Sequence, residues 1–294
     1  MRRVGEPLHR TILKQILQHI RTQLGRYYTT GEVTALSRIL ATELIGIKES
    51  TYFLKDPVTL TPEQQQQLDK ALERLQEHTP IQHILGYENF CGLRFTVNGN
   101  VLIPRPETQE LVEWIESEST GKEKILDIGT GSGCIAVSLA HKIPHSTVEA
   151  WDISSEALAV AQENSRINDT RVKFAQRDIL THHPESERFD IIVSNPPYIK
   201  EAEKASMEAN VLNWEPHTAL FVPDSDPLLF YRTIAQKALT MLPPGGRLYF
   251  EINRAYGQET ARLLATLGYR NIELRKDFAD NDRMIRACKA THTP

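Results

Sequence analysis

The hydrophobic residues of the first 80 positions recur three and four residues apart, which is the spacing of one face of a helix. Gly25 can end the first of these helices, and a second apolar run begins after Thr30. Thr61 suits the N-cap of a third helix, because Pro62 fits the first helical position. The apolar stripes comprise Ile12, Leu13, Ile16, Leu17, Ile20 and Leu24, then Val33, Leu36, Ile39, Leu40 and Leu44, then Leu68, Leu72 and Leu75. We therefore predict that residues 1–80 form a small helical bundle.

The hydrophobic period changes to two between residues 81 and 104. Leu93, Phe95 and Val97 alternate with polar residues, and a turn-like break at residues 90–92 precedes them. Two alternating runs joined by a glycine-containing turn predict a β-hairpin. We interpret residues 81–104 as a connector, with a β-hairpin, between the bundle and the rest of the chain.

Strand-like and helix-like segments alternate in the remainder of the chain, residues 105–294. The predicted strands cover residues 125–128, 148–151, 172–175, 191–193 and 247–252, and a closing antiparallel pair at 271–274 and 284–287. Repeated β–α–β units imply a parallel sheet with helices on both faces. The predicted fold class is α/β, a Rossmann-like sheet that is mostly parallel with a final antiparallel strand.

Composition excludes several classes of protein. The chain has 294 residues, 40% of them hydrophobic and 24% charged, which is ordinary globular composition. The net charge of −4 does not favour wholesale binding of nucleic acid. The three cysteines are far apart in sequence, so we predict no disulfide framework, no metal site and a reducing compartment. With neither an apolar run of membrane-spanning length nor a signal-peptide core, we expect a cytoplasmic protein.

The first 26 positions are strongly basic. Glu6 is their only acidic residue, against Arg2, Arg3, Arg10, Lys14, Arg21 and Arg26. A solvated helix face explains this charge most simply. A docking face for an acidic macromolecule and a transit peptide remain alternatives at this stage.

A glycine-rich turn follows the first predicted strand, at residues 127–133 (Asp-Ile-Gly-Thr-Gly-Ser-Gly). Glycines at this place let the backbone turn tightly and approach a ligand, and a dinucleotide site is one possible interpretation. Asp127 favours another, because its carboxylate would repel a pyrophosphate but attract the ammonium group of S-adenosylmethionine. We therefore expect that cofactor beside the turn.

Two further acidic residues end the next two predicted strands. Asp152 ends the second strand, where a carboxylate binds ribose hydroxyls in both cofactor classes. Asp178 ends the third strand, where it can accept the adenine amino group while Ile179 covers the ring. A charge that favours a helix N-terminus is the alternative interpretation of Asp152.

The fourth predicted strand ends in Asn195, Pro196, Pro197 and Tyr198. The prolines lack N–H groups and fix φ, so the strand stops and the backbone leaves the sheet stiffly. The Asn195 side-chain oxygen and the Pro196 carbonyl can each accept a hydrogen bond from one N–H group, and Tyr198 offers an aromatic face. This set suits a flat group that carries an NH2, although an ordinary proline-rich turn is the simpler alternative.

Together, the glycine turn, the two later aspartates and the Asn-Pro-Pro-Tyr segment resemble a class I methyltransferase that acts on a planar nitrogen. Four further segments resemble the release factor glutamine methyltransferases of the PrmC/HemK family. These segments are residues 81–87 (Ile-Gln-His-Ile-Leu-Gly-Tyr), 102–108 (Leu-Ile-Pro-Arg-Pro-Glu-Thr), 215–220 (Glu-Pro-His-Thr-Ala-Leu) and 250–252 (Phe-Glu-Ile). The chain departs from the family pattern at residues 226–228 and at Asn253, where the family often has glycine.

The resemblance implies transfer of a methyl group from S-adenosylmethionine to the amide nitrogen of the glutamine in the Gly-Gly-Gln loop of class I peptide chain release factors. The expected catalytic residues are Asn195, Pro196 and Tyr198, and the substrate site adds Pro197. The expected cofactor contacts are Asp127, Gly129, Thr130, Gly131, Ser132, Gly133, Asp152, Asp178, Ile179 and Asn195. We expect residues 1–80 to dock the release factor, the enzyme to be a monomer, and S-adenosylhomocysteine to be the product.

Two other functions compete with this one. A DNA or RNA amino-methyltransferase uses the same tetrapeptide on a flipped base, but it would want a basic groove or a sequence-reading domain. A non-catalytic adaptor would keep the cofactor fold as a scaffold, and the intact glycines, carboxylates and Asn195 argue against it.

Overall fold

The computed structural model describes residues 13–291 and divides the chain into two compact units after Leu85. We call residues 1–85 the helical unit and residues 86–294 the sheet unit. The apolar position predicted at Ile12 lies outside the described residues, and so do the charges of Arg2, Arg3, Glu6 and Arg10.

The apolar spacing predicts helices in the first part of the chain, and helices are the regular elements of the helical unit's described residues. The helices are α1 Leu13–Leu24, α2 Thr30–Ile39, α3 Glu49–Leu54, α4 Pro62–Gln76 and α5 Ile81–Leu85, and a π-helical turn, Leu40–Leu44, continues α2. Thr61 caps α4 in a capping box with Gln64, and Pro62 occupies the first helical position. The predicted stripes supply most of the core, with Leu13, Ile16, Ile20, Leu24, Leu40, Leu68, Leu72 and Leu75 buried.

The period-two prediction is wrong at its start, because residues 81–85 are helical. Ile81 and Ile84 are three positions apart and pack against the core of the helical unit. Gly86 follows with φ +80°, a conformation in which glycine commonly ends helices. Five residues are too few for the spacing of apolar positions to separate a helix from a strand.

The predicted hairpin is present at the start of the sheet unit. Strands β1 (Tyr87–Phe90) and β2 (Leu93–Thr96) pair antiparallel. Cys91 and Gly92 form the two-residue turn with φ +50° and +78°, the signs that a type I′ turn requires. Helix α6, Pro106–Glu118, follows and leads into the main sheet.

The main sheet has seven strands in the order β10-β11-β9-β6-β3-β4-β5. Its strands are β3 Lys124–Ile128, β4 Thr147–Asp152, β5 Val172–Gln176, β6 Ile191–Ser194, β9 Arg247–Glu251, β10 Arg270–Lys276 and β11 Asp282–Cys288. Strands β3, β4, β5, β6 and β9 are parallel, and β11 is antiparallel to both β9 and β10. The predicted Rossmann-like sheet is confirmed. Its last strand, β11, lies between β9 and β10.

Helices cover both faces of this sheet, and successive residues of a strand pack alternately into the hydrophobic core on one face and on the other. Ile125 packs with residues of α6 and α7, whereas its neighbour Leu126 packs with residues of α11 and α12. These helices are α7 Cys134–Lys142, α8 Ser155–Ile167, α11 Leu229–Met241 and α12 Gly257–Thr266. In the part of the chain that the structure describes, no helix has the length and apolar character needed to cross a bilayer.

Short elements that the sequence did not predict lie between β6 and α11. They are β7 Ile199–Lys200, the 3-10 helix Glu201–Ser206, α9 Ala209–Leu212, α10 His217–Leu220 and β8 Phe221–Val222, and β7 pairs with β8 in parallel. The order of the main sheet reverses at β3, which has β4 on one side and β6 on the other. Ligands bind at such switch points, outside the carboxyl ends of the strands.

Candidate active site

A cavity of about 370 Å³ lies at the carboxyl ends of β3, β4 and β6, within the sheet unit. Its size is typical of small-molecule sites. The predicted site residues that line it are Gly129, Thr130, Gly131, Ser132, Asp152, Asp178, Ile179, Asn195, Pro196 and Pro197. The structure therefore brings together residues from four separate loops.

Three predicted site residues do not line this cavity: Asp127, Gly133 and Tyr198. Asp127 is fully buried below the glycine turn, where its Oδ2 accepts a 2.6 Å hydrogen bond from the Thr130 hydroxyl. Burial raises the pKa of Asp127 to about 7, although hydrogen bonds from Thr130 and from the backbone of Ala136 oppose the shift. Asp127 thus braces the turn with Oδ2, while its buried Oδ1 has no hydrogen-bond partner among the described residues. Its contact with the cofactor's ammonium group stays a prediction.

The two later glycines of the turn meet different surroundings. Gly131 has φ +54°, and a Cβ built on it would meet no atom within 4 Å, so its backbone borders open space at the cavity. Gly133 has φ +80°, and its Cβ would lie 3.0 Å from the Cβ of Ala161 in α8. Gly131 therefore leaves room for a ligand, while Gly133 lets α7 pack closely on α8.

Asp152 holds two backbone segments of the cavity, the glycine turn and the start of the loop after β4. Its Oδ2 accepts the Gly131 N–H at 2.8 Å, and its Oδ1 accepts the Ser154 N–H at 2.9 Å. Burial raises the pKa of this carboxyl, and the backbone hydrogen bonds oppose that change. Each carboxylate oxygen has about two acceptor sites, so the group keeps capacity for hydroxyl donors from a ligand.

The loop after β5 forms another part of the cavity wall. The carboxylate of Asp178 accepts the Leu180 N–H at 2.8 Å, and the Ile179 side chain is buried. Lys237 of α11 holds this loop by donating to the carbonyls of Ile179 at 2.5 Å and of His182 at 2.6 Å. Sequence reasoning missed Lys237, because nothing in a helical lysine indicates which distant carbonyls it will reach.

Asn195 belongs to a hydrogen-bonded chain that sequence reasoning also missed. Its Nδ2 donates to the Thr108 hydroxyl at 3.5 Å, and that hydroxyl donates to Glu251 at 2.5 Å. The Tyr198 hydroxyl donates to the other oxygen of Glu251 at 3.3 Å. Burial and Glu251 together raise the pKa of Tyr198 above its usual range, so this hydroxyl stays protonated and can donate.

An ion pair joins two of the segments that carry the family resemblance. Glu215 is buried, and its carboxylate accepts from the Arg105 guanidinium at 2.5 Å and from the Ile103 N–H at 3.2 Å. Burial raises the pKa of Glu215, and the nearby Arg105 opposes that shift. The pair holds the loop before α6 against the loop before α10, and both loops contribute to the cavity wall.

The two departures from the family pattern have local explanations. Asn253 has φ −65°, a conformation open to any residue, and its Nδ2 donates to the Tyr198 carbonyl at 3.1 Å. Asp226 forms an ion pair with Arg232 at the start of α11. Asn253 therefore adds a support for the Asn-Pro-Pro-Tyr segment that glycine would lack.

Among residues 13–291, no group of three or more His, Cys, Asp or Glu side chains is arranged to hold a metal ion. The polar groups on the cavity wall include amide, carbonyl, hydroxyl and carboxylate groups. Its polar groups lie at the strand ends, and much of the remaining wall is apolar.

Comparison with known proteins agrees with this architecture. The family description "Methyltransferase small domain" matches residues 106–214, and "PrmC N-terminal domain" matches residues 15–86. A methyltransferase of known structure from Pyrococcus furiosus superposes with a TM-score of 0.52 at 18% identity and covers 68% of this chain and 90% of its own. That likeness shows the fold.

Sequence relatives show the family. The release factor glutamine methyltransferase of Bacteroides thetaiotaomicron is 46% identical over 276 residues, which cover 94% of this chain and 99% of the relative. The protein of the same name from Flavobacterium psychrophilum is 45% identical over 280 residues, 92% of this chain and 98% of the relative. The chain belongs to the family of release factor glutamine methyltransferases.

Proposed function

We propose that this chain transfers a methyl group from S-adenosylmethionine to the side-chain amide nitrogen (N5) of the glutamine in the Gly-Gly-Gln motif of class I peptide chain release factors. The S–CH3 bond breaks as the N–CH3 bond forms, S-adenosylhomocysteine is the second product, and the amide nitrogen releases one proton to water. The single observation that carries the proposal is the position of Asn195 and Pro196 on the wall of the cavity at the sheet's switch point. Family membership supports the identity of the substrate.

Three features of the cavity support binding of this cofactor. Open space beside Gly131 accommodates a ligand close to the backbone, and Asp152 offers acceptors to ribose hydroxyls. Asp178 and Ile179 border the same cavity at the position where adenine is expected. We propose that the turn from Gly129 to Ser132 holds the amino-acid end.

Replacing Asp152 by alanine is expected to weaken cofactor binding by roughly 10- to 100-fold, because charged hydrogen bonds of this kind contribute about 1.5–3 kcal/mol. Calorimetric titration with S-adenosylmethionine measures the effect. Glu156→Ala is the matched control, since it removes an exposed carboxylate four positions away that does not line the cavity. Equal affinities for the Asp152→Ala variant and the wild type would contradict a ribose contact.

Positioning is the main task of the residues around the substrate amide. An amide nitrogen is a poor nucleophile, because its lone pair is delocalised into the carbonyl group. S-adenosylmethionine, when bound, supplies a reactive methyl group on a positively charged sulfur. The Asn195 oxygen and the Pro196 carbonyl accept hydrogen bonds from the two N–H groups of the amide and so point its nitrogen at the methyl carbon. Such placement lowers the activation barrier by several kcal/mol.

A nucleic acid amino-methyltransferase is the competing function for the same tetrapeptide. The net charge of −4 does not favour it. Parallel incubation of the enzyme and labelled cofactor with a class I release factor, with duplex DNA and with RNA distinguishes the two. We expect label on the release factor alone, and label on either nucleic acid would favour the competing function.

We further propose that the helical unit docks the release factor, and that the enzyme acts as a monomer in the cytoplasm, where its substrate works. The helical unit has its own apolar core, formed by residues between 13 and 84 in the described part. Helix α3 also exposes Phe53 and Leu54, 63% and 73% accessible, which are available to a partner.

Deleting residues 1–85 is expected to leave a folded sheet unit that binds the cofactor normally but methylates intact release factor at least about 10-fold more slowly, because docking energy is lost. Initial rates at limiting release factor measure the change. A short Gly-Gly-Gln peptide serves as the control substrate and should be methylated equally by both proteins. If the truncated enzyme methylated intact release factor as fast as the full-length enzyme, the helical unit would not be its docking site.

A further inference from the structure

Glu251 lies directly behind the proposed catalytic segment. It ends β9, and β9 pairs with β6 in parallel so that Phe250 is the partner of Ser194. One residue further along the two parallel chains, Glu251 therefore follows beside Asn195. The Glu251 side chain is buried and does not line the cavity, so it reaches the substrate only through other residues.

Two hydroxyl groups connect Glu251 to the Asn-Pro-Pro-Tyr segment. One carboxylate oxygen accepts the Thr108 hydroxyl at 2.5 Å, and the other accepts the Tyr198 hydroxyl at 3.3 Å. Asn253 adds a third support by donating to the Tyr198 carbonyl at 3.1 Å. The segment is thus held at both of its ends from the strand that carries Glu251.

The order of donors and acceptors in this chain determines how the Asn195 amide is turned. The Thr108 hydroxyl donates to Glu251 at 2.5 Å, and a carboxylate in its ionised form can only accept. The lone pairs of that hydroxyl oxygen are then left for the Asn195 Nδ2, 3.5 Å away. The Asn195 oxygen, at the opposite end of the amide, remains free to accept from the substrate.

The opposite orientation of Asn195 would be unproductive. Its NH2 group would then face the NH2 group of the substrate glutamine, and two donors would meet. Nothing in asparagine itself prevents this, since its oxygen and nitrogen ends have nearly the same shape. The Asn195 amide therefore needs a neighbour that can only accept from its NH2 group. The Thr108 hydroxyl is that neighbour when its own proton is donated to Glu251.

Arg283 on β11 opposes the effect of burial on Glu251. Burial raises the pKa of Glu251, and the nearby Glu107 adds to that, whereas the Arg283 guanidinium and the two hydroxyl donors lower it. Arg283 is itself held by Asp277, at 3.0 Å. Burial is the largest of these effects, so the pKa of Glu251 stays above its ordinary value, and the two hydroxyl hydrogen bonds fix its place in the chain.

We propose that Glu251 is a positioning residue of the methyl transfer: through Thr108 it turns the Asn195 side-chain oxygen toward the substrate nitrogen, and through Tyr198 it fixes the far end of the same segment. This inference rests on the proposed function, because the group to be oriented is the substrate amide. Glu251 touches neither substrate nor cofactor in this arrangement. Its loss should therefore change turnover and leave binding intact.

Glu251→Gln is the first test variant, since it preserves size but can donate as well as accept. The direction of the Thr108 hydroxyl is then no longer determined. We expect kcat for release factor methylation to fall about 10- to 100-fold, while cofactor affinity and KM for the release factor change little. Thr108→Val should behave similarly, whereas Thr108→Ser, which keeps the hydroxyl, should retain most of the activity.

A double-mutant cycle separates orientation of Asn195 from a general structural effect. In an Asn195→Ala background, Glu251→Gln should lower the single-turnover rate by clearly less than in the wild-type background, because one of its two targets has been removed. Losses that multiply would overturn the proposal, as would near wild-type turnover of Glu251→Gln or equal activities of Thr108→Val and Thr108→Ser. If Glu251→Gln does not fold, the cycle between Thr108→Val and Asn195→Ala gives the same decision. A wild-type enzyme inactive on release factor would overturn the proposed function, and this inference with it.

Discussion

Replacing Asn195 by alanine is expected to lower turnover by about 10²-fold or more and to leave cofactor affinity nearly unchanged. The side chain follows a buried strand and precedes two prolines, so its removal should not disturb the sheet. Water can enter the space, but water does not hold the substrate amide in one orientation. An interaction that is stronger in the transition state than in the ground state affects kcat and kcat/KM together.

Asn195→Asp distinguishes orientation from charge. It keeps an acceptor oxygen but places a negative charge near a cationic sulfur, and it also sets a carboxylate against the Thr108 hydroxyl that already serves Glu251. We expect equal or tighter cofactor binding together with slower transfer. Calorimetry and single-turnover methylation of a release factor measure the two quantities. Near wild-type turnover of a folded Asn195→Ala variant would contradict the proposed role of Asn195.

Gly133→Ala is expected to destabilise the sheet unit by about 2–5 kcal/mol and to abolish measurable cofactor binding, because backbone strain and steric overlap add at this position. The added methyl group would lie 3.0 Å from the Ala161 Cβ and 3.2 Å from its Cα. Helices α7 and α8 would have to separate, and the turn that borders the cavity ends at this residue. Relief by rotation of a flexible side chain is impossible, since alanine has none.

Gly121→Ala is the matched control for this substitution. Gly121 has φ +94°, but its Cβ would meet no atom within 4 Å, so the change introduces backbone strain alone, about 1–2 kcal/mol. Denaturant unfolding followed by tryptophan fluorescence reports on the sheet unit, which contains all three tryptophans, Trp114, Trp151 and Trp214. Equal losses in the two variants would show that close packing of α7 on α8 contributes nothing.

The sheet and the cavity's position follow from local sequence patterns. Buried strands appear as short apolar runs, and the turn after β3 requires glycines at particular backbone angles, so spacing alone predicts both. Asp152, Asp178 and Asn195 end their strands or follow them closely, and parallel strands bring such residues to one edge. These features depend on neighbours only a few positions away.

Contacts between distant segments are the part that spacing does not predict. Thr108 and Glu251 are 143 positions apart, and neither has a sequence signal of its own beyond the family resemblance. The burial of Asp127 depends in the same way on contacts that spacing does not predict. Asp127 precedes the turn, and a hydrogen bond with the backbone of Ala136 in α7 helps to hold it in the interior, while its contact with the cofactor stays a prediction.

Mass spectrometry of a class I release factor, incubated with this enzyme and S-adenosylmethionine, tests the proposed function most directly. We predict that the peptide containing the Gly-Gly-Gln motif gains one methyl group, that fragmentation places it on the side chain of the glutamine, and that the Asn195→Ala enzyme leaves the same peptide almost unmodified. A release factor that stays unmethylated with folded, cofactor-binding enzyme, or a methyl group on another residue, would contradict the function proposed for this chain.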